Sequence, residues 1–245
     1  MIVDLLLTLL YPPRCPSCGR ERAAPRPPEL CRGCRARLEP VARACERCGE
    51  PGSERRCARC ASAPPPYAHA RACFLYRDDE LSSELVSRWK YGGDHVVGST
   101  LASLLREHRS AHAECYDLIV PVPLHASRLA QRGFNQAALL ARAVARRGEH
   151  VAVDALRRAA ATAPQAALGR RARAANVRDV FAVRRGAAVT GRSVLLVDDV
   201  VTTGATVEAC STVLLEAGAT GVGVWSLART PRRIAGESVS SSVLP

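Results

Sequence analysis

Between residues 15 and 60 the chain repeats one small device four times: Cys15/Cys18, Cys31/Cys34, Cys45/Cys48 and Cys57/Cys60, each a Cys-x2-Cys knuckle. No other feature restricts the fold as much. Each knuckle sets two thiolates on one tight turn, and two knuckles complete the tetrahedral all-sulfur shell that Zn2+ prefers. Small or turn-forming residues at Ser17-Cys18-Gly19, Arg32-Gly33-Cys34 and Arg47-Cys48-Gly49 suit that geometry. A redox Cys-x2-Cys normally stands alone beside a βαβ pattern, so four copies in 46 residues read as metal sites.

Sequential pairing (15/18 with 31/34, 45/48 with 57/60) is the simplest arrangement, because the intervening loops have only 12 and 8 residues. Interleaved pairing remains open on spacing alone. Two structural zinc ions are expected. Ribbons of this size bury little apolar surface, so metal should supply most of their folding free energy, on the order of 10 kcal/mol per site. Chelation is then expected to unfold the ribbons and spare the rest of the chain. Cys73, Cys115 and Cys210 have no partner knuckle and read as buried small apolar residues.

The ribbons fall in residues 1–62 with a short N-terminal helix. Ala61-Ser-Ala-Pro-Pro-Pro66 forms a semi-rigid boundary, a second domain spans 67–230, and the Arg/Ser-containing 231–245 reads as a disordered tail. Met1–Leu10 is apolar but short, carries Asp4 and runs into Pro12-Pro13, which suits a helix on the protein's own core rather than a signal. No apolar run approaches the roughly 20 residues a membrane span needs. A cytoplasmic protein without membrane insertion is expected.

Past residue 66 the pattern alternates. Helices are expected near 80–90, 97–110, 135–147 and 205–217, and strands at Asp117–Val122, 151–155, Ser193–Val197 and Thr220–Leu227. Unbroken apolar runs such as Val194-Leu-Leu-Val197 mark buried parallel strands. The fold class is α/β: an open, mainly parallel sheet with flanking helices, preceded by a small double zinc ribbon.

The most informative stretch is Ser193-Val-Leu-Leu-Val-Asp-Asp-Val-Val-Thr-Thr-Gly-Ala-Thr206. An apolar strand ends in two carboxylates, and a small-residue loop then opens a helix. The backbone N–H groups of Thr202, Thr203, Gly204, Ala205 and Thr206, the three threonine hydroxyls and the helix dipole can together hold a phosphate. Asp198 and Asp199 stand where they can accept hydrogen bonds from a sugar's vicinal hydroxyls or hold Mg2+ through waters. A Walker loop is excluded, since Gly-Lys-[Ser/Thr] is missing.

Charge points to an anionic partner. The formal net charge is +12, and residues 128–185 hold 13 Arg against Glu149, Asp154 and Asp179. All but one of the basic residues are Arg; the exception is Lys90, a weak sign of a role that a guanidinium cannot fill. Aromatics are sparse in the basic stretch, only Phe134 and Phe181, so any grip on nucleic acid there would be mostly phosphate contact.

The strand, Asp-Asp and Thr-Thr-Gly-x-Thr sequence resembles the signature of type I phosphoribosyltransferases, which bind 5-phosphoribosyl-1-pyrophosphate (PRPP). Asp117-Leu-Ile-Val-Pro-Val-Pro-Leu-His125 with Arg128 and Arg132-Gly-Phe-Asn-Gln136, Lys90-Tyr91-Gly92, and Thr162, Gln165, Leu168, Arg173 and Asn176-Val177 are similar to motifs of the ComF family. The N-terminal double zinc ribbon agrees. That resemblance implies a PRPP site with Mg2+ at Asp198, Asp199 and Thr202–Thr206, and a basic pyrophosphate group at Lys90, Arg128, Arg132 and Arg173. Residues 157–178 would be a closing loop over the ligand. It implies either phosphoribosyl transfer to an unidentified acceptor or, alternatively, handling of single-stranded DNA in natural transformation with the DNA-uptake machinery.

Overall fold

A computed structural model describes residues 12–21, 29–53, 55–78, 80–158 and 180–232. The expected N-terminal helix, the tail and most of the expected closing loop, including Arg173, lie outside these. In chain order the elements are α1 (Arg32–Ala36), α2 (Ala58–Ser62), β1 (His69–Leu75), α3 (Leu81–Gly92), α4 (His95–Ser110), β2 (Leu118–Pro121), α5 (Ala126–Arg132) and α6 (Gln136–Val144). They continue with β3 (His150–Val151), β4 (Leu156–Arg158), β5 (Phe181–Val183), β6 (Ser193–Val201), α7 (Ala205–Glu216) and β7 (Gly221–Arg229).

Five strands form one parallel sheet in the order β1-β7-β6-β2-β3, and β4 and β5 make a small antiparallel pair. The central strands β6 and β7 are apolar without alternation because both faces are covered. Leu195 and Val197 join Leu85, Trp89, Leu101, Leu105 and Leu140 of α3, α4 and α6 on one face. Val194 and Leu196 join Val207, Cys210 and Leu214 of α7 on the other. Between β2 and β6 the strand order reverses: the chain runs outward from β2 to β3 on one side and from β6 to β7 on the other. In open α/β sheets the crevice at such a point, outside the carboxyl ends of the strands, is where ligands collect.

The two ribbons straddle the β1 edge. Residues 39–41, between them, run antiparallel along β1, with Leu75 N–H donating to Glu39 O at 2.8 Å and Val41 N–H to Cys73 O at 3.3 Å. This strip caps a strand edge that would otherwise be open to another chain. The first ribbon's Cys15, Cys34 and Leu38 belong to the α4 side of the core, and Arg35 pairs with Glu107 at 2.6 Å. The second ribbon's Cys45, Cys48 and Cys60 belong to the α7 side. Zinc ligands are therefore part of both cores, and the expectation that the ribbons are a separable appendage does not fit this packing.

Several boundaries differ from the sequence reading. β6 does not stop at Val197; it continues through both aspartates because β7 stays paired with it as far as Val201↔Arg229. β1, α5, β4 and β5 have no counterpart in the periodicity, and the strand expected at 151–155 is only the two-residue β3 followed by a turn. Of the three unpaired cysteines, Cys210 is buried as expected, Cys73 is partly buried, and Cys115 is exposed, since it lies in the loop between α4 and β2 rather than on an element. No described helix is long and apolar enough to cross a membrane.

Candidate functional site

The carboxyl end of β6 meets the N-terminus of α7 through Thr202-Thr203-Gly204. Thr202, Thr203, Ala205 and Thr206 are exposed while Gly204 is buried. Gly204 has φ +89°, a left-handed conformation costly for any residue with a Cβ, and a Cβ there would come within 3.2 Å of Glu208 Oε1. As the N-cap of α7 it offers no side chain, so the first N–H groups of the helix are not capped by it. The loop, Asp198 and Val207 enclose a small cleft of about 30 Å3. Larger cavities, of about 490 and 350 Å3, lie between the first ribbon and α4, far in sequence from the loop.

Continuation of β6 through both aspartates sends their side chains to opposite faces. Asp198 lines the loop cleft. Asp199 turns toward α3, where Lys90 Nζ lies 2.9 Å from its Oδ1. The lone lysine thus reaches the carboxylate pair. Burial and then the Asp199 charge push Asp198 up to about 7, against the opposing effects of the Asp199 N–H at 2.8 Å and Lys90.

This shift gives stability a defined pH dependence. Between about pH 4 and about 7 the folded state keeps a proton on Asp198 that the unfolded chain has released, so this group's contribution falls as pH rises and is flat above 7. Asp198→Asn has no such proton. Its melting temperature, relative to the parent protein without ligand, is expected to climb from pH 4 to 7 and then level off. A constant difference across that range would contradict the perturbed carboxyl.

The second wall of the crevice comes from β2 and the turn before α6. Val122 N–H donates to Val197 O at 2.9 Å, which brings the Pro121-Val122 end beside Asp198. Asn135 ties the turn down: its Nδ2 donates to Val122 O at 3.0 Å while its Oδ1 accepts from Ala137 N–H at 3.0 Å and caps α6. Arg128 and Arg132 sit on α5, a short helix ended by Gly133 in the left-handed region at φ +76°. Arg128 is exposed. Arg132 packs its guanidinium 5.0 Å from the centroid of Tyr91 and reaches Gln136 Oε1 at 3.4 Å. Tyr91 is 72% exposed, and the sequence reading noticed it only as part of a motif. The adjacency of Tyr91 to an arginine some 40 positions later is visible only in three dimensions.

The eight knuckle cysteines form two clusters, Cys15/Cys18/Cys31/Cys34 and Cys45/Cys48/Cys57/Cys60, with ligand atoms within 4.8 Å of one another in each. This is the sequential pairing. Tetrahedral Zn–S bonds of about 2.3 Å place sulfurs roughly 3.8 Å apart; Cys18 and Cys31 Sγ are 3.7 Å apart and Cys48 and Cys57 Sγ 3.5 Å. Backbone N–H groups of Cys31 and Cys57 donate to Cys15 and Cys45 Sγ at 3.3 and 3.4 Å. Burial raises these two thiols, but several such backbone donors outweigh it and hold both at about 6, so thiolates are available at neutral pH. No described cysteine is in a disulfide. The donor set fits two structural zinc ions.

A parallel α/β sheet with a glycine-hinged strand-to-helix turn at its switch point, joined to a pair of four-cysteine ribbons, defines a zinc-ribbon protein of the phosphoribosyltransferase fold. Residues 6–74 match the double zinc ribbon domain family and residues 129–239 the phosphoribosyl transferase domain family. The chain is 36% identical over 195 residues to the DNA utilization protein YhgH of Escherichia coli K12, covering 76% of this chain and 84% of that one. It is 31% identical over 216 residues to competence protein F of Haemophilus influenzae, covering 82% and 90%. The structure of the allosteric regulatory enzyme of purine biosynthesis aligns with TM-score 0.39 and 25% identity over 53% of this chain and 26% of its own. The chain belongs to the ComF family.

Proposed function

We propose that the protein binds PRPP with Mg2+ at the carboxyl end of β6. The observation that carries this reading is the shared cleft of Asp198 with the exposed, glycine-hinged Thr202–Thr206 loop at a helix N-terminus whose N-cap, Gly204, has no side chain. The loop N–H groups and hydroxyls hold the 5-phosphate. Asp198 and Asp199 accept from the ribose hydroxyls, with Lys90 holding Asp199 in place. Arg128 and Arg132 face the diphosphate, and Arg173 joins them in the same role. Mg2+, when bound, neutralises charge on the diphosphate. If an acceptor is present, its nucleophile bonds to C1′ as the C1′–O bond breaks and pyrophosphate leaves, and positioning plus charge supply the rate.

Titration calorimetry with PRPP in Mg2+ tests the site. Saturable binding is expected in the parent protein and its loss in Asp198→Asn/Asp199→Asn, with zinc content and circular dichroism unchanged. Equal affinity in the double variant would sink the assignment.

A second reading, single-stranded DNA handling in natural transformation on the cytoplasmic side of the uptake machinery, is favoured by the exposed Tyr91 ring under Arg132. The relatives named for DNA utilization and competence agree with it. A base stacked on such a ring contributes about 1–3 kcal/mol. Tyr91→Ala should then weaken oligo-dT binding roughly 10- to 100-fold with the salt slope unchanged, since phosphate contacts are untouched. Unaltered oligonucleotide affinity would remove Tyr91 from the interface.

A further inference from the structure

We propose that the second zinc ribbon is the positioning clamp of the phosphate-binding loop, so that zinc at Cys45/Cys48/Cys57/Cys60, and not at the first site, governs anion affinity at Thr202–Thr206. The inference rests on the phosphate-site reading above and adds what regulates that site.

Two ionic chains run from the ribbon to the loop. Glu50 closes its own knuckle, its carbonyl accepting from Cys45 N–H at 2.8 Å. Its carboxylate accepts from Arg229 Nη2 and from Arg232 N–H, each at 2.8 Å, and Arg232 Nη2 donates onward to Thr203 O at 3.0 Å. From the other side of the same ribbon Arg59, between Cys57 and Cys60, grips Glu208 at 2.6 and 2.7 Å. Glu208 is in the first turn of α7, and its N–H donates to Gly204 O at 2.9 Å.

The Arg59 contact has an electrostatic consequence. A carboxylate in the first turn of α7 stands at the positive end of the helix dipole, where it competes with an incoming anion for the same field. Arg59 offsets that charge. Beneath Gly204 the arrangement is tight: a Cβ there would meet Glu208 Oε1 at 3.2 Å, Tyr67 OH at 3.8 Å and Arg229 Nη1 at 3.9 Å. Tyr67 OH and Arg229 Nε and Nη1 are buried without a hydrogen-bond partner, although Arg229 is only 2% exposed. Arg229 is held instead through its Nη2, which donates to Glu50 of the ribbon. The first ribbon has no comparable route among the described residues; its Cys15 and Cys34 pack on the opposite face. Linkage then works both ways, with the loop's ligand tightening the second zinc site.

The test uses Arg59→Met and Arg232→Met, with Arg35→Met in the first ribbon as the control, each checked for two zinc ions per chain. Amide hydrogen exchange without ligand should quicken about tenfold at Glu208, whose N–H bonds Gly204 O, and in the turn that follows it in the first two and stay unchanged in the control. PRPP affinity in Mg2+ should fall about tenfold in Arg59→Met and recover only in part in Arg59→Met/Glu208→Gln, because the opposing charge is gone but the clamp is not restored. Slow exchange retained in both clamp variants, or parent affinity in Arg59→Met, would overturn the proposal. Absence of PRPP binding in the parent protein, with the exchange differences intact, would fell the PRPP reading and leave the clamp standing.

Discussion

Stripping zinc with a strong chelator is expected to lower the melting temperature of the whole sheet, not only to unfold the ribbons. Each four-cysteine site contributes on the order of 10 kcal/mol to the fold around it, against a typical domain stability of about 5–15 kcal/mol. Cys15, Cys34, Cys45, Cys48 and Cys60 are packed in the same clusters as the strand and helix residues, so their release opens both cores at once. The strip at 39–41 would leave β1 as well, exposing the strand edge. The protein carries its own probe: Trp89 and Trp225, its two tryptophans, are buried in the α3–α4 side of the core and belong to neither ribbon. Their fluorescence melt should move down when zinc is released. An unchanged tryptophan midpoint after complete zinc release would show that the ribbons are energetically separate.

Glu149→Ala is expected to be the most damaging single substitution away from the metal sites. Glu149 pairs with Arg109, whose side chain is 2% exposed, through both carboxylate oxygens, with Arg109 Nη1 at 2.7 Å from Oε2. It also accepts from the backbone N–H groups of Tyr116 at 3.1 Å and Arg146 at 2.7 Å. One side chain thus ties the end of α4 to the approach to β2 and to the loop before β3. Truncation leaves a guanidinium buried and unpaired, which costs about 3–5 kcal/mol. For a chain of this length that is roughly 10 °C in melting temperature. Replacing both partners, Arg109→Leu with Glu149→Leu, should recover much of the loss, because the unpaired charge is the main penalty. A double variant no more stable than Glu149→Ala would mean the backbone contacts dominate.

The knuckles and the strand–turn–helix of this protein were legible where they are written in short sequence. Four knuckles, an apolar strand with two aspartates and a Thr-Thr-Gly-x-Thr turn depend on neighbours a few residues apart, and so do metal shells and helix N-termini. The helices α3, α4, α6 and α7 were legible for the same reason: their apolar spacing is local. β1 was not, because His69-Ala-Arg-Ala-Cys-Phe-Leu75 has little strand character of its own and is made a strand by pairing with β7, roughly 150 residues later. The short α5, with no buried residue, has no apolar stripe to read.

Local spacing was therefore enough to mark eight cysteines as metal ligands and an α/β sheet with a Thr-Thr-Gly-x-Thr turn at the end of one strand. Thiolate separation and the strand and helix periods are properties of a few neighbouring residues. Only the folded arrangement fixes that the knuckles pair in order and that the ribbons share the sheet's two cores. It also sets Asp198 and Asp199 facing opposite ways, and brings Arg59, Glu50 and Arg232 together on the loop. The difference is one of range: strand extension, charge pairing and burial are settled by what the fold brings alongside, and an ion pair between residues 59 and 208 leaves no trace in the spacing of either.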